Sequence, residues 1–380
     1  MISKERSVDN EKRIVSDNRE QPTPPNPLFT IHYPLFTDSL LRLPNPHVLQ
    51  GWEWGDFKSR WGWQPTRLLW QDADGKPAAA AQVLRRAIPK TPWSMLYVSK
   101  GPIWDYTNLN LTQQILADLE AYARQQKALF IKIDPDVPLA FDPAAAAPHA
   151  PGLAVKKLLQ TRGWRYSPQQ IQFKNTVLID LRPTEEDLLA AMKSKWRYNI
   201  RLARRKGVTI WQGGVDDLEA FYQLYAVTGQ RNGFLIRPKA YYFDLWRQYL
   251  SQTSASKATL LLARVNNAPV AGLMLFHFGK TAWYLYGASD NKHRNLMPNH
   301  LLQWEAIRLA KAAGRHTYDM WGAPDVFDES DSMWGVYKFK IGFGGLTRQG
   351  LGAYDYPVHA LKYQAYIKLL PRLLAILKGS

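Results

Sequence analysis

Ala258-Thr259-Leu260-Leu261-Leu262-Ala263-Arg264-Val265-Asn266-Asn267 is a mainly aliphatic run closed by two asparagines. Asparagine tolerates the left-handed backbone that a two-residue hairpin turn needs. Ala258–Val265 therefore reads as a strand, Asn266-Asn267 as the turn and Val270–Phe278 as the return strand. The strand Thr281–Tyr286 follows, then a helix over about Asn299–Ala313 and a strand at His316–Trp321. The same order occurs earlier. Arg67–Trp70 is a strand, Asp74-Gly75 a turn, Ala79–Ile88 the return strand and Met95–Ser99 a third strand. An amphipathic helix over about Leu111–Lys127 buries Ile115, Leu116, Leu119 and Tyr122, and a strand at Leu129–Ile133 closes the unit.

A repeated hairpin, strand, helix, strand predicts an α/β (α+β) chain of two similar lobes. Their order resembles the acetyltransferase fold, which implies two tandem acetyltransferase-like lobes facing a shared cleft. The expected division is 1–27 as a disordered tail and proline-rich linker, 28–172 as the first lobe and 173–349 as the second. The segment 350–380 is expected to complete the first lobe. In acetyltransferases a glycine-bearing loop at a helix N-terminus cradles the pyrophosphate of the acetyl donor, because backbone N–H groups must approach it closely. Here that place reads Lys292-His293-Arg294-Asn295-Leu296-Met297-Pro298, without a glycine. A different acyl donor and no bound cofactor are expected.

Lys and Arg outnumber Asp and Glu by 49 to 32, a net charge of +17, which favours an anionic partner. The chain has no cysteine, so disulfides, zinc–thiolate sites and thiol nucleophiles are excluded. Its eight histidines are scattered and form no metal-binding spacing. Asp328, Glu329 and Asp331 read as solvated loop residues, and no metal is expected. Met1 to Pro27 lacks the apolar run of a signal peptide, and no stretch is long and apolar enough to span a bilayer. A cytoplasmic protein is expected.

Thr184-Glu185-Glu186-Asp187 resembles a capped helix start, and Leu188, Met192, Trp196 and Ile200 recur every four residues as one apolar stripe. One helix is predicted up to Gly207, carrying Lys193, Lys195, Arg197, Arg201, Arg204, Arg205 and Lys206 without an acid among them. Unpaired basic residues at this density fit an anion-binding face better than a merely solubilising one. Arg231-Asn232-Gly233-Phe234 with Arg237-Pro238 and Tyr241-Tyr242 is a second basic and aromatic cluster. It suits phosphate and base binding, or is an ordinary helix end.

Several segments together resemble the FemABX family of tRNA-dependent peptidoglycan aminoacyltransferases. They include Gln50-Gly51-Trp52 with Lys58, Lys100-Gly101-Pro102 with Asp105, Ile133-Asp134-Pro135, the basic helix, and Arg231 with Arg237-Pro238. Tyr284, Tyr286 and Gly335-Val336-Tyr337-Lys338-Phe339-Lys340 with Phe343-Gly344-Gly345 complete the set. The resemblance runs from about 46 to 350 and is to the armless type, because Ile179 to Gly214 leaves no room for a coiled-coil arm. It implies an aminoacyl-tRNA as co-substrate and a peptidoglycan precursor, UDP-muropeptide or lipid-linked, as acceptor. It also implies that Lys58 and Arg231 hold the acceptor's diphosphate, with Arg237 and Tyr337 among the acceptor contacts. Asp105 would orient or deprotonate the attacking amine, and Trp52, Trp54, Tyr284 and Tyr286 would line the peptide channel.

An aminoacyl ester is already activated, so transfer needs positioning and oxyanion stabilisation more than a strong nucleophile. Lys338 is the expected fixed charge. Read as a strand, Tyr337-Lys338-Phe339-Lys340 places Lys338 and Lys340 on one face, with Lys340 a lesser candidate. Asp105 is also readable as a plain turn aspartate. The basic amphipathic segment Ala360–Lys378 either lies on the inner face of an anionic membrane or packs as a last helix on the first lobe. Two further readings of the chain stand beside this one: an acyltransferase using acyl-CoA or another donor, and a non-catalytic basic module for RNA or membrane.

Overall fold

A computed structural model describes residues 33–142, 147–251 and 254–368. The expected tail and linker at 1–27, and the end of the C-terminal segment, lie outside the described residues. Both repeats fold as the order predicts. In the first, strands Gln64–Gln71, Pro77–Ala87 and Ser94–Val98 precede helix Leu109–Gln125 and strand Ala128–Ile133. In the second, strands Lys257–Val265, Ala268–Phe278 and Thr281–Ser289 precede helix Pro298–Ala312 and strand Thr317–Asp319. Asn266 and Asn267 both take positive φ, +50° and +64°, as the hairpin turn requires.

The strands form two sheets, and these exchange segments across the expected boundary at 172/173. Tyr354–Pro357 enters the first sheet between Ala128–Ile133 and Arg165–Tyr166. Pro138–Phe141, from the segment assigned to the first lobe, instead pairs with Leu346–Gly350 in the second sheet. The chain thus crosses between sheets at 134–137, 149–164, 167–175 and 351–353. One apolar core unites Phe36, Trp54 and Phe57 with Phe221, Trp246 and Phe276, so the helix Trp52–Arg60 is shared property of both lobes.

Two expectations about local structure are corrected. The single basic helix is two, Glu185–Ala191 and Ser194–Arg205, because Met192 turns extended (ψ 151°). Arg197 bridges the break by donating to the carbonyls of Ala190 (3.1 Å) and Met192. Residues 334–341 are a helix, Trp334–Ile341, and not a strand. At about 100° per residue, Lys338 and Lys340 then point to nearly opposite sides. Packing decides this: a Cβ on Gly342 would lie 2.3 Å from the ring of Trp196, so only glycine lets this segment close on the basic helix. Trp196 Nε1 in turn donates to Phe339 O at 3.0 Å. Residues 360–368 are helical and pack on the first sheet, with Tyr363 buried against Phe130. Tyr363 OH donates to Asp355 Oδ2 at 2.7 Å, so this part follows the packed reading. No helix among the described residues is long and apolar enough to cross a membrane.

Candidate active site

Lys58 lies on the shared helix Trp52–Arg60, which carries it under the second lobe. Its ammonium is buried within 5.0–5.9 Å of the ring centroids of Trp54, Phe57, Trp63 and Tyr241. Nζ donates to Tyr241 OH at 3.2 Å. From the other side the Arg237 guanidinium lies 4.7 Å from the same Tyr241 ring. No carboxylate among the described residues pairs with either cation. Burial, reinforced by the charges of Arg237 and Arg86, pulls the Lys58 pKa down to about 8. Lys58, Arg237 and Arg86, the last 5.4 Å from the Trp63 ring centroid, thus gather at aromatic rings without an ion-pair partner among the described residues.

Beneath this site Tyr242 meets Tyr241 and Tyr286 edge-on, and Tyr286 packs among Tyr225, Trp246 and Phe276. Tyr284, two residues back, belongs to the other core. The reason is a bulge: Tyr286 faces Met274 and Tyr284 faces Leu275, leaving Leu285 without an opposite residue. A regular strand would turn both tyrosines the same way; the bulge sends Tyr286 toward the Lys58 core and Tyr284 toward the core under Trp334–Ile341.

There Lys340 approaches, its Nζ 6.0 Å from the Tyr284 ring centroid. It is buried and donates to the carbonyls of Trp321 and Gly322. Burial brings its pKa down to about 7, against the opposing pull of Asp319. Lys338, by contrast, is exposed and lies 3.6 Å from Glu329. Tyr337 OH shares a hydrogen bond with Thr347 Oγ1 (2.9 Å), tying its helix to the second sheet.

A buried charged seam holds the sheets together beside Lys340. Asp136 accepts from Arg348 Nη2 at 2.5 Å and lies 3.4 Å from Lys100 Nζ, which also donates to Phe173 O. Burial works against ionising Asp136, but Arg348 and Lys100 together hold its carboxyl well below the usual range. Asp134 accepts from Tyr97 OH (2.6 Å) and from the backbone of Lys100. Burial raises its carboxyl to about 6. Asp134 and Asp136 stand on the segment where the chain crosses between sheets, and Lys100 and Arg348 reach them from neighbouring segments.

The remaining predicted residues scatter. Asp105 is exposed and accepts from Thr107 N (3.0 Å) and Thr107 Oγ1 (2.6 Å), the geometry of a turn aspartate. Arg231 donates to Ser289 O (2.9 Å) and Asn291 Oδ1 (2.7 Å); Arg237, rather than Arg231, shares the Tyr241 ring with Lys58. Trp52 stacks on Arg67, 3.3 Å from ring centroid to guanidinium. On the basic helix Arg204 pairs with Glu305 at 2.7 Å and Arg197 serves as a cap, while Lys193, Lys195, Arg201 and Arg205 are exposed without an ion pair among the described residues. Sequence reasoning missed Arg86, Trp63 and the cage role of Tyr241. Their only signal was aromatic and basic density, which the chain shows in many places. The acidic loop at 328–331 caps itself: Asp331 accepts from the backbone of Asp325, Val326 and Met333.

The FemAB family model matches residues 42–269 and 255–370. The lipid II:glycine glycyltransferase of Staphylococcus saprophyticus is 27% identical over 389 residues, spanning 87% of this chain and 92% of its own length. That of Staphylococcus aureus is 25% identical over 401 residues with the same coverage. The crystal structure of FemX superposes with a TM-score of 0.78 at 23% identity, over 90% of this chain and 99% of that one, a likeness of fold.

Proposed function

The chain belongs to the FemAB family, and on that premise we propose that it is an aminoacyltransferase that passes an amino acid from aminoacyl-tRNA to the stem-peptide amine of a peptidoglycan precursor. The observation that carries this reading is the cation site of Lys58 and Arg237 around Tyr241. It is contributed by both lobes, is uncompensated by acid, and suits the diphosphate that joins the sugar of such precursors to their carrier.

From that anchor the stem peptide runs along the bulged strand Thr281–Ser289 toward Tyr284 and Lys340. The acceptor amine attacks the ester carbonyl, and the developing oxyanion meets the positive end of Lys340. On collapse the ester C–O bond breaks, and Lys340 gives its proton to the departing ribose oxygen. It regains a proton from the nitrogen that has become an amide. A lysine whose pKa lies near 7 exchanges protons in either direction at small cost, which the exposed Lys338 has no equal reason to do. The free cations Lys193, Lys195, Arg201 and Arg205 hold the RNA backbone on the helix that packs against Trp334–Ile341.

The test is a transfer assay with purified protein, tRNA charged with labelled amino acids, and UDP-linked or lipid-linked muropeptide, with acetyl-CoA in parallel. Label on a muropeptide only with charged tRNA is the expected result. Transfer from acetyl-CoA, or from neither donor to either acceptor, overturns the reading.

A further inference from the structure

The loop between helices Leu218–Asn232 and Lys239–Ser251 forms the rim of the cation site. Gly233 ends the first helix in the left-handed conformation (φ +71°), and Phe234 N–H returns to Gly229 O at 3.2 Å. Phe234 and Ile236 both fold back over Gly229: a Cβ there would meet Ile236 Cγ2 at 2.9 Å and the Phe234 ring at 3.3 Å. Arg237 N–H is pinned to Tyr242 OH at 3.1 Å. Leu235 stands outward at the tip and is 85% exposed, beside Phe234, which is 39% exposed, while Ile236 is half-buried. The surrounding charge is mostly positive, with Asp290 and Glu219 the acids nearby. Arg237, Lys292 and Arg294 are exposed without an ion pair among the described residues, and the Arg294 charge is felt at Arg231. Lys239 is the exception, paired with Glu219.

We propose that this loop docks on an anionic lipid bilayer, with Leu235 entering the acyl boundary and Arg237, Lys292 and Arg294 meeting the headgroup phosphates. A rigid apolar tip ringed by unpaired cations is the pattern that binds such a surface, through apolar burial and charge attraction together. Continuity with the cation site gives the docking its use, and this part rests on the function proposed above. Arg237 is two residues from Leu235 and faces the same Tyr241 ring as Lys58. A diphosphate held there lies at headgroup depth when Leu235 is inserted, so its lipid chain never has to leave the membrane. The acceptor this arrangement fits is the lipid-linked precursor, not the soluble nucleotide-linked one.

The chain lacks cysteine, so one environment-sensitive dye attached to the Leu235→Cys variant reports that position alone. Leu361, 88% exposed on the C-terminal helical segment, is the matched control. The expected result is a blue shift from position 235 with vesicles of phosphatidylcholine and phosphatidylglycerol, and none from Leu361→Cys. No shift at 235, or equal shifts at both, overturns the docking. In transfer assays, Leu235→Glu should lose about tenfold or more on lipid-linked acceptor embedded in those vesicles. It should stay within about twofold on that acceptor in detergent micelles, where no bilayer is needed. Equal activity in both settings overturns the proposal. If the wild-type protein transfers to neither acceptor, the function proposed above fails, while the dye measurement still decides the docking by itself.

Discussion

Lys58 and Lys132 are both buried in the first half of the chain, and they are solved in opposite ways. Lys132 faces Asp355 at 2.8 Å, with both side chains 3% exposed, and it also donates to Ser167 Oγ and Gln169 O. Asp355 receives Tyr363 OH as well, so the pair ties the inserted strand Tyr354–Pro357 and the C-terminal helical segment to the first sheet. Lys58 has aromatic rings, one tyrosine hydroxyl and two nearby arginines, but no acid. A buried ion pair that links a strand to its sheet is a structural join. A buried cation crowded by like charges, held by aromatic rings and a lowered pKa, leaves room for an outside anion.

The largest expected effect tests the structural side. Lys132→Met strands the Asp355 carboxylate and should cost about 3–5 kcal/mol in denaturant unfolding. Lys58→Met should leave stability unchanged or raise it, and equal losses in the two variants would erase the contrast. Next comes the transfer step. Lys340→Met should lower the rate at saturating substrates by about 100-fold or more, with a folded circular-dichroism spectrum and acceptor affinity retained. Lys338→Met should change it by no more than a few-fold, and the reverse ranking would return the role to Lys338.

Lys58→Met should weaken acceptor binding by about tenfold or more, with the rate at saturation largely kept. A change confined to the rate would remove the anion-site assignment. The pH dependence sharpens the point. Burial lowers the Lys58 pKa from 10.5 to about 8, so the folded protein sheds this proton before the unfolded chain does. Between those values the unfolded state binds more protons, and the Lys58 contribution makes stability rise with pH. An anionic acceptor needs the charged form, so its affinity should fall as pH rises through about 8, and this fall should vanish in Lys58→Met. Calorimetric titration at several pH values would show it. The smallest effect is expected of Asp105→Asn, within about threefold, since its carboxylate closes a turn; a loss of about 100-fold would restore it as the base.

Much of the fold was legible because local chemistry and tertiary structure agree there. Asn266-Asn267 accepts the turn dihedrals on its own, and Leu109–Gln125 shows its buried face in its spacing. Thr184 caps its helix as read, accepting from Asp187 N at 3.1 Å. Agreement fails where two periodicities fit one stretch. Trp334–Ile341 alternates well enough for a strand, yet the contact of Gly342 with Trp196 makes it a helix. The apolar stripe from Leu188 to Ile200 is continuous in sequence but crosses a break at Met192.

The candidate site was legible by residue type more than by position. Lys58, Arg237 and Tyr286 were singled out and do come together, whereas Asp105, Trp52 and Arg197 are engaged in local contacts. Which of two lysines in Tyr337-Lys338-Phe339-Lys340 is buried is not written in their order.

By itself the sequence determined the repeated hairpin, strand, helix and strand, the positive surface, and the aromatic and basic residues available for a site. These follow from dihedral preference, hydrophobic period and net charge, which are properties of neighbours along the chain. Only the tertiary structure decided which lysine lacks an acid, how the bulge at Leu285 parts Tyr284 from Tyr286, and that Pro138–Phe141 joins the second sheet. Those outcomes depend on burial and on partners far away in sequence. The cost of an unpaired charge is set by what surrounds it, not by what adjoins it.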